Sequence, residues 1–114
     1  MEALEVIKKN DSIIFKYSGE LTLDIIDEIK NEVTSIIEND IKDERAIIFD
    51  LSDVSFLDSS GIGFLIHMKN RINAMNKKCY LLRPSNVVKN TLSLVNLINF
   101  FTIIDDEGES LIEI

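Results

Sequence analysis

Strand-like alternation of apolar and polar residues opens the chain, and helical spacings of three and four follow it. Leu4 to Lys9 and Ser12 to Ser18 have the period of strands, and Asn10-Asp11 between them suits a hairpin turn. In the second run Ile13, Phe15 and Tyr17 alternate with Ile14 and Lys16, and Gly19-Glu20-Leu21-Thr22 breaks the pattern. Thr22 or Asp24 then caps a predicted helix whose apolar face is Ile26, Ile29, Val33, Ile36 and Ile37, ended by Asn39-Asp40. Arg45 to Leu51 reads as a buried strand, because Ile47, Ile48 and Phe49 run without alternation.

The second half repeats the theme. A helix is predicted from about Ser60 to Asn76 and a strand over Lys78 to Leu82. Pro84-Ser85-Asn86 opens a third helix through Val88, Leu92 and Val95, and Phe100 to Ile104 is a last short strand. Asp105-Asp106 caps an expected terminal helix holding Leu111 and Ile114. An initial hairpin followed by alternating helices and strands predicts an α/β fold. It is a single mixed sheet with helices packed on it and the hairpin at one edge. At 114 residues this is one domain, 1–114.

Charge narrows the partners. The formal net charge of −8 makes nucleic acid and anionic membrane surfaces poor partners, since a polyanion repels both. No apolar run approaches the roughly 20 residues of a membrane span, and Met1-Glu2-Ala3-Leu4-Glu5 lacks the pattern of a secretory signal. A cytoplasmic protein is expected. Cys79 is the single cysteine, set in the apolar run Cys79-Tyr80-Leu81-Leu82, and reads as a small buried hydrophobe.

The candidate chemistry lies in Asp58-Ser59-Ser60-Gly61. A strand, a loop, a serine pair and a glycine at a helix start place small hydroxyls at a helix N-terminus. There, unsatisfied backbone N–H groups and the positive end of the macrodipole favour an anion. A serine so placed can carry a phosphate at low local cost. Capping alone, by Asp58, Ser59 or Ser60, is the plainer reading of the same residues. Projected at helical pitch, Gly61, Leu65, Met68, Ile72 and Met75 share a face assigned to the core, with Gly61 bringing the helix start close to the sheet. Ile62 and Ile66 fall on the side of Ser59, with Lys69 and Asn73 below. They read either as a contact surface or as scattered surface hydrophobes.

The segment from Ile47 to Gly63, IIFDLSDVSFLDSSGIG, closely resembles the signature of STAS domains of the anti-sigma-factor antagonist type. In that family an apolar strand ending in Asp-Leu leads through a short loop to Asp-Ser-Ser/Thr-Gly-Leu-Gly at a helix start. Gly19-Glu20-Leu21 is similar to the family's Gly-Glu-Leu-Asp turn, with Thr22 where aspartate is usual. Ser85-Asn86-Val87-Val88-Lys89 is similar to its segment after the fourth strand. The resemblance implies a STAS fold, a bacterial regulator and phosphorylation at Ser59. Asp58 would position the hydroxyl and Ser60 and Gly61 would shape the helix entry. Gly19, Glu20 and Thr22 join them in the implied partner surface, and the helical projection adds Ile62 and Ile66 as its apolar part. The implied partner is an anti-sigma factor that is also a serine kinase of the histidine-kinase-like ATPase fold. The unphosphorylated protein binds it and frees the sigma factor. Phosphorylation ends binding, and a PP2C-type phosphatase restores it.

Two other assignments stand beside this one. A STAS module can serve a stressosome-like scaffold or a lipid-transport ABC complex. Asp50 at a strand end resembles the phosphoacceptor of a receiver domain, yet Lys8-Lys9-Asn10-Asp11 offers no acidic pair for Mg²⁺, and a strand-end residue bonded to the following loop is the simpler role. An enzyme is not expected. His67, the only histidine, falls on the exposed side of the second helix, and there is no metal-ligand spacing, no GxxxxGK(S/T) loop and no nucleophile–base pair. No cofactor is implied.

Overall fold

Five strands join in the order β1-β2-β3-β4-β5, so every strand lies beside its neighbour in sequence. The computed structural model describes residues 2–105. They form β1 (Leu4–Lys9), β2 (Ser12–Leu21), α1 (Leu23–Asp40), β3 (Ala46–Leu57), α2 (Ser59–Ala74), β4 (Lys78–Leu82), α3 (Asn86–Leu94) and β5 (Ile103–Ile104). β1 pairs antiparallel with β2 through a turn in which Asn10 takes φ 54°, and the remaining pairs are parallel. Each parallel pair needs a crossover, which is why a helix or helical segment separates β2, β3, β4 and β5. The mixed α/β sheet with a hairpin edge is as predicted. The terminal helix expected at Leu111 and Ile114 lies outside the described residues.

Alternation sorts the strand residues onto two faces. On one, Ile13, Phe15, Ile47, Phe49, Cys79 and Leu81 meet Ile29, Val33 and Ile37 of α1 and Leu65, Met68 and Ile72 of α2. Phe15 stacks on Phe49 at 5.6 Å, and Phe64 of α2 meets the Phe49 ring edge-on at 6.0 Å. On the other face Ile14, Ile48 and Leu82 form a smaller cluster. α3 opens where Ser85 accepts the Val88 N–H, and it buries Val88 and Leu92. Val95 closes that helix as its C-cap and is exposed, not part of the buried stripe. Met75 likewise leaves the core face expected for it, because α2 ends at Ala74 and Met75 turns outward as the C-cap.

The main departure is in strand length. β2 runs to Leu21 and β3 to Leu57, where a pattern break and a loop were expected. Two bulges explain the difference. Between the pairs Lys16–Asp50 and Ser18–Asp53, β3 advances three residues while β2 advances two; between Gly19–Val54 and Glu20–Phe56 it advances two against one. Each extra residue reverses the alternation that identifies a strand, while the ladder continues. Asp50 therefore sits within β3 at the first bulge and not at a strand end. It is buried and accepts Ser52 N–H (3.0 Å), Ser52 Oγ–H (2.7 Å) and Arg83 Nη2 (3.3 Å).

Candidate functional site: the Asp58 clamp and Ser59

The extended ends of β2 and β3 deliver Leu21 and Leu57 side by side, and the two helices start from them. Asp58 N–H donates to the Leu21 carbonyl at 3.3 Å, carrying the pairing one residue past the strand. The Asp58 backbone is extended (φ −98°, ψ −174°), as an N-cap requires, and its carbonyl accepts Ile62 N–H at 3.0 Å.

Its carboxylate does two jobs. Oδ1 accepts Gly61 N–H at 3.0 Å and caps α2, while Oδ2 accepts Leu23 N–H at 3.1 Å, the first residue of α1. Thr22 is the N-cap of α1 by position, but its side chain makes no capping bond, and neither does Asp24 cap that helix. Asp58 does it from 35 residues away. The Gly61 N–H, with smaller contributions from Leu23 and Ser60, holds the Asp58 carboxyl below the usual carboxylate range, against a partial desolvation that pushes the other way.

Gly61 is required by contact. A Cβ there would collide with the Leu21 carbonyl oxygen and stand 2.5 Å from Leu57 Cδ1. The helix thus begins pressed against the strand ends, as its place on the core face anticipated. Ser59, the first residue of α2, is exposed, and Ser60 is half-buried. The Ser59 hydroxyl is reached from solvent at a helix start whose amides favour an anion.

The structure brings Asp58, Ser59, Ser60 and Gly61 together with the β2–α1 turn through the clamp. Glu20 is exposed opposite Phe56. Gly19 takes φ +127°, a conformation that side chains disfavour, just after the first bulge. Tyr17 Oη–H donates to the Glu20 carbonyl at 2.9 Å and fixes this end of β2. Burial, aided by Glu20 and Glu28, raises the Tyr17 phenol above its ordinary range, so it stays a donor.

Ile62 and Ile66, whose spacing suggested either a contact surface or scattered surface hydrophobes, are more covered than that spacing alone implied. Both are half-buried and pack against the main core cluster. They lie at the flank of the core face, and the buried stripe of a helix is wide enough to include such positions. One turn on, Lys69 Nζ sits 5.2 Å over the Phe100 ring, so this flank meets the segment between α3 and β5.

Two large apolar side chains at the ends of the strands and the start of α1 are exposed, Leu23 (70%) and Phe56 (49%). Leu23 is tied to Asp58, and Phe56 precedes Ser59 by three residues. One signal was available for Leu23, an apolar residue off the Ile26–Ile29–Val33 stripe. Phe56 was hidden by the second bulge.

Among the described residues, no cluster of His, Cys, Asp and Glu could hold a metal. No described helix is long and apolar enough to cross a membrane. His67 is exposed, and partial burial with Lys30 and Arg71 nearby lowers its pKa.

Residues 3–110 match the STAS domain family. An anti-sigma F factor antagonist from Lysinibacillus sphaericus is 24% identical over 94 residues, covering 82% of this chain and 78% of its own length. The phosphorylated Bacillus cell fate determinant SpoIIAA superposes with a TM-score of 0.69 at 21% identity, over 96% of each chain. A putative anti-sigma factor antagonist from Thermotoga maritima gives 0.82 at 24% identity, over 95% of this chain and 91% of its own. With the family signature running nearly end to end and the fold shared along the same length, this chain belongs to the STAS domain family.

Proposed function

We propose that this protein is a cytoplasmic anti-sigma-factor antagonist whose binding is switched off by phosphorylation of Ser59. The observation that carries the reading is the exposed Ser59 at a helix start that the Asp58 carboxylate clamps to the start of α1. The names of its relatives point to the same class. The partner is an anti-sigma factor with serine kinase activity of the histidine-kinase-like ATPase fold, and a PP2C-type phosphatase reverses the modification. The domain acts as a binding module and kinase substrate.

The switch is electrostatic. A phosphate adds about −1.5 to −2 charge. In the free domain it stays in water, near backbone amides that tolerate it. In a complex that covers this helix start, the same dianion is desolvated beside its chain neighbour, the Asp58 carboxylate. Leaving a charge buried and unpaired costs several kcal/mol, and about 2.7 kcal/mol already weakens affinity a hundredfold. No refolding of the domain is needed.

A pull-down from native lysate with wild type and Ser59→Asp in parallel, read by mass spectrometry, tests this. Wild type captures the kinase and Ser59→Asp does not, while far-UV CD is the same for both. A phosphomimic that binds with undiminished affinity removes the switch. Capture of a transporter or a large scaffold in place of a kinase moves the protein to another STAS assembly.

A further inference from the structure

β1 ends the strand order, so no described strand lies beyond it, and after Leu4 all its residues are exposed. Such an edge offers a row of backbone groups to another strand. Which groups point outward follows from the pairing. Ser18 N–H donates to the Ala3 carbonyl at 3.0 Å, and the register places Leu4 opposite Tyr17. Antiparallel alternation then turns the N–H and C=O of Glu5, Ile7 and Lys9 toward β2, and those of Leu4, Val6 and Lys8 outward. The side chains divide by face. Glu5, Ile7 and Lys9 share the face of Ile14 and Ile48, and Val6 and Lys8 share the helix-bearing face of Phe15. Val6 and Ile7 are 40% and 41% exposed, large apolar residues on an open edge.

We propose that β1 pairs antiparallel with β1 of a second copy of this chain, about a two-fold axis through Ile7. An antiparallel extension of the sheet keeps each face on its own side, so odd residues meet odd ones and even meet even. Centring on Ile7 sets Glu5 opposite Lys9 of the partner subunit, and Lys9 opposite Glu5 of the partner subunit. Ile7 meets Ile7 of the partner subunit between these two ion pairs. Val6 and Lys8 of the partner subunit exchange backbone hydrogen bonds through their outward groups, and the symmetric pair does the same. Centring one residue earlier opposes Glu5 to Ile7 and Leu4 to Lys8, and pairs no charges. The sequence of the strand is thus self-complementary in one register.

Lysines on an edge are a common guard against such pairing. Here Lys8 is drawn to the helix side, where its Nζ donates to the Asp40 carbonyl at 2.8 Å and lies 3.9 Å from Glu44. In a chain of charge −8, the alignment of each Glu5 with a Lys9 keeps the charges that face one another across the edges opposite in sign. The surface shares no residue with the Ser59 site, and a dimer of this kind leaves that site open. The strip is far smaller than a stable interface of about 1,200–2,000 Å², so the dimer exchanges with monomer as concentration changes.

Sedimentation velocity of the full chain across a concentration series, up to millimolar, tests the pairing. Wild type shows a monomer–dimer equilibrium. Glu5→Lys and Lys9→Glu each set like charges opposite one another twice and weaken association about tenfold or more. An equimolar mixture of these two variants associates again, and so does the double variant, because both combinations restore opposite charges. Thermal melts confirm that each variant is folded. A wild type that stays monomeric throughout, or a dimer that ignores the charge reversals, overturns the proposal. Variants that fail to associate on mixing overturn it as well.

Discussion

The Asp58 carboxylate accepts the backbone N–H of Leu23 at 3.1 Å while its other oxygen caps α2 at Gly61. One side chain thereby ties the start of α1 to the start of α2, and it is the residue next to the candidate phosphoserine. A group that modifies Ser59 acts beside the element that holds both helix starts in place.

The clamp carries a pH signature. The folded-state pKa of Asp58 is depressed, chiefly by the Gly61 N–H, so its contribution to stability is fully present above the ordinary carboxylate range. It is lost as pH falls through the lower folded value. Asp58→Asn retains one acceptor oxygen and satisfies only one of the two helix starts. Thermal melts from neutral pH into the acid range show Asp58→Asn melting below wild type at neutral pH, with the gap closing as acid protonates the wild-type carboxylate.

Two glycines of the same helix respond oppositely to alanine. At Gly61 a methyl group meets the Leu21 carbonyl and Leu57 Cδ1, and overpacking of this kind costs about 1–3 kcal/mol. At Gly63 nothing lies within 4 Å of the added carbon, so alanine gains helix propensity of up to about 1 kcal/mol. Urea unfolding moves to lower midpoint for Gly61→Ala and to higher midpoint for Gly63→Ala. A Gly61→Ala protein as stable as wild type contradicts the close approach described above.

How far the residues alone disclosed this depends on whether alternation stayed intact. β4 begins and ends where Lys78–Leu82 was read, because nothing interrupts a short buried strand. β2 and β3 ran past their expected ends because bulges reverse the two-residue period without ending the ladder. That error hid Phe56 and turned a strand end into a loop. On α2, Ile66 follows Ser59 at nearly the same angle, yet its side chain reaches the core flank. Angle alone does not measure burial where a third segment, here near Phe100, lies over the helix. The Asp58–Ser59–Ser60–Gly61 cluster was recognisable because a helix start has strict local chemistry. The bond to Leu23 joins residues 35 apart and leaves no local trace.

Cys79 is chemically silent while the domain is folded. Burial pushes its thiol up to about 12, only partly offset by Lys69, so almost no thiolate exists at neutral pH. A disulfide reagent such as DTNB labels it slowly in buffer and rapidly in denaturant. Labelling at the same rate in both media places the side chain at the surface.

Leu23 and Phe56 supply the last prediction, which separates docking from stability. Leu23 is largely in water, so Leu23→Ser leaves the melting temperature of the free domain nearly unchanged, whereas half-exposed Phe56 gives a modest drop on replacement by Ser. If they form the apolar centre of the partner surface, each truncation removes buried area in the complex, and central apolar anchors carry about 1–2 kcal/mol or more. Affinity for the kinase recovered with wild type then falls about ten- to thirtyfold, measured by calorimetry with Ser59 intact. The loss appears without any phosphate, which distinguishes it from the Ser59 switch. Combining Leu23→Ser with Ser59→Asp produces less than the sum of the two effects, because a complex already broken by charge has no apolar contact left to lose. Full additivity instead assigns Leu23 to a surface separate from Ser59 and moves the docking centre elsewhere on the domain.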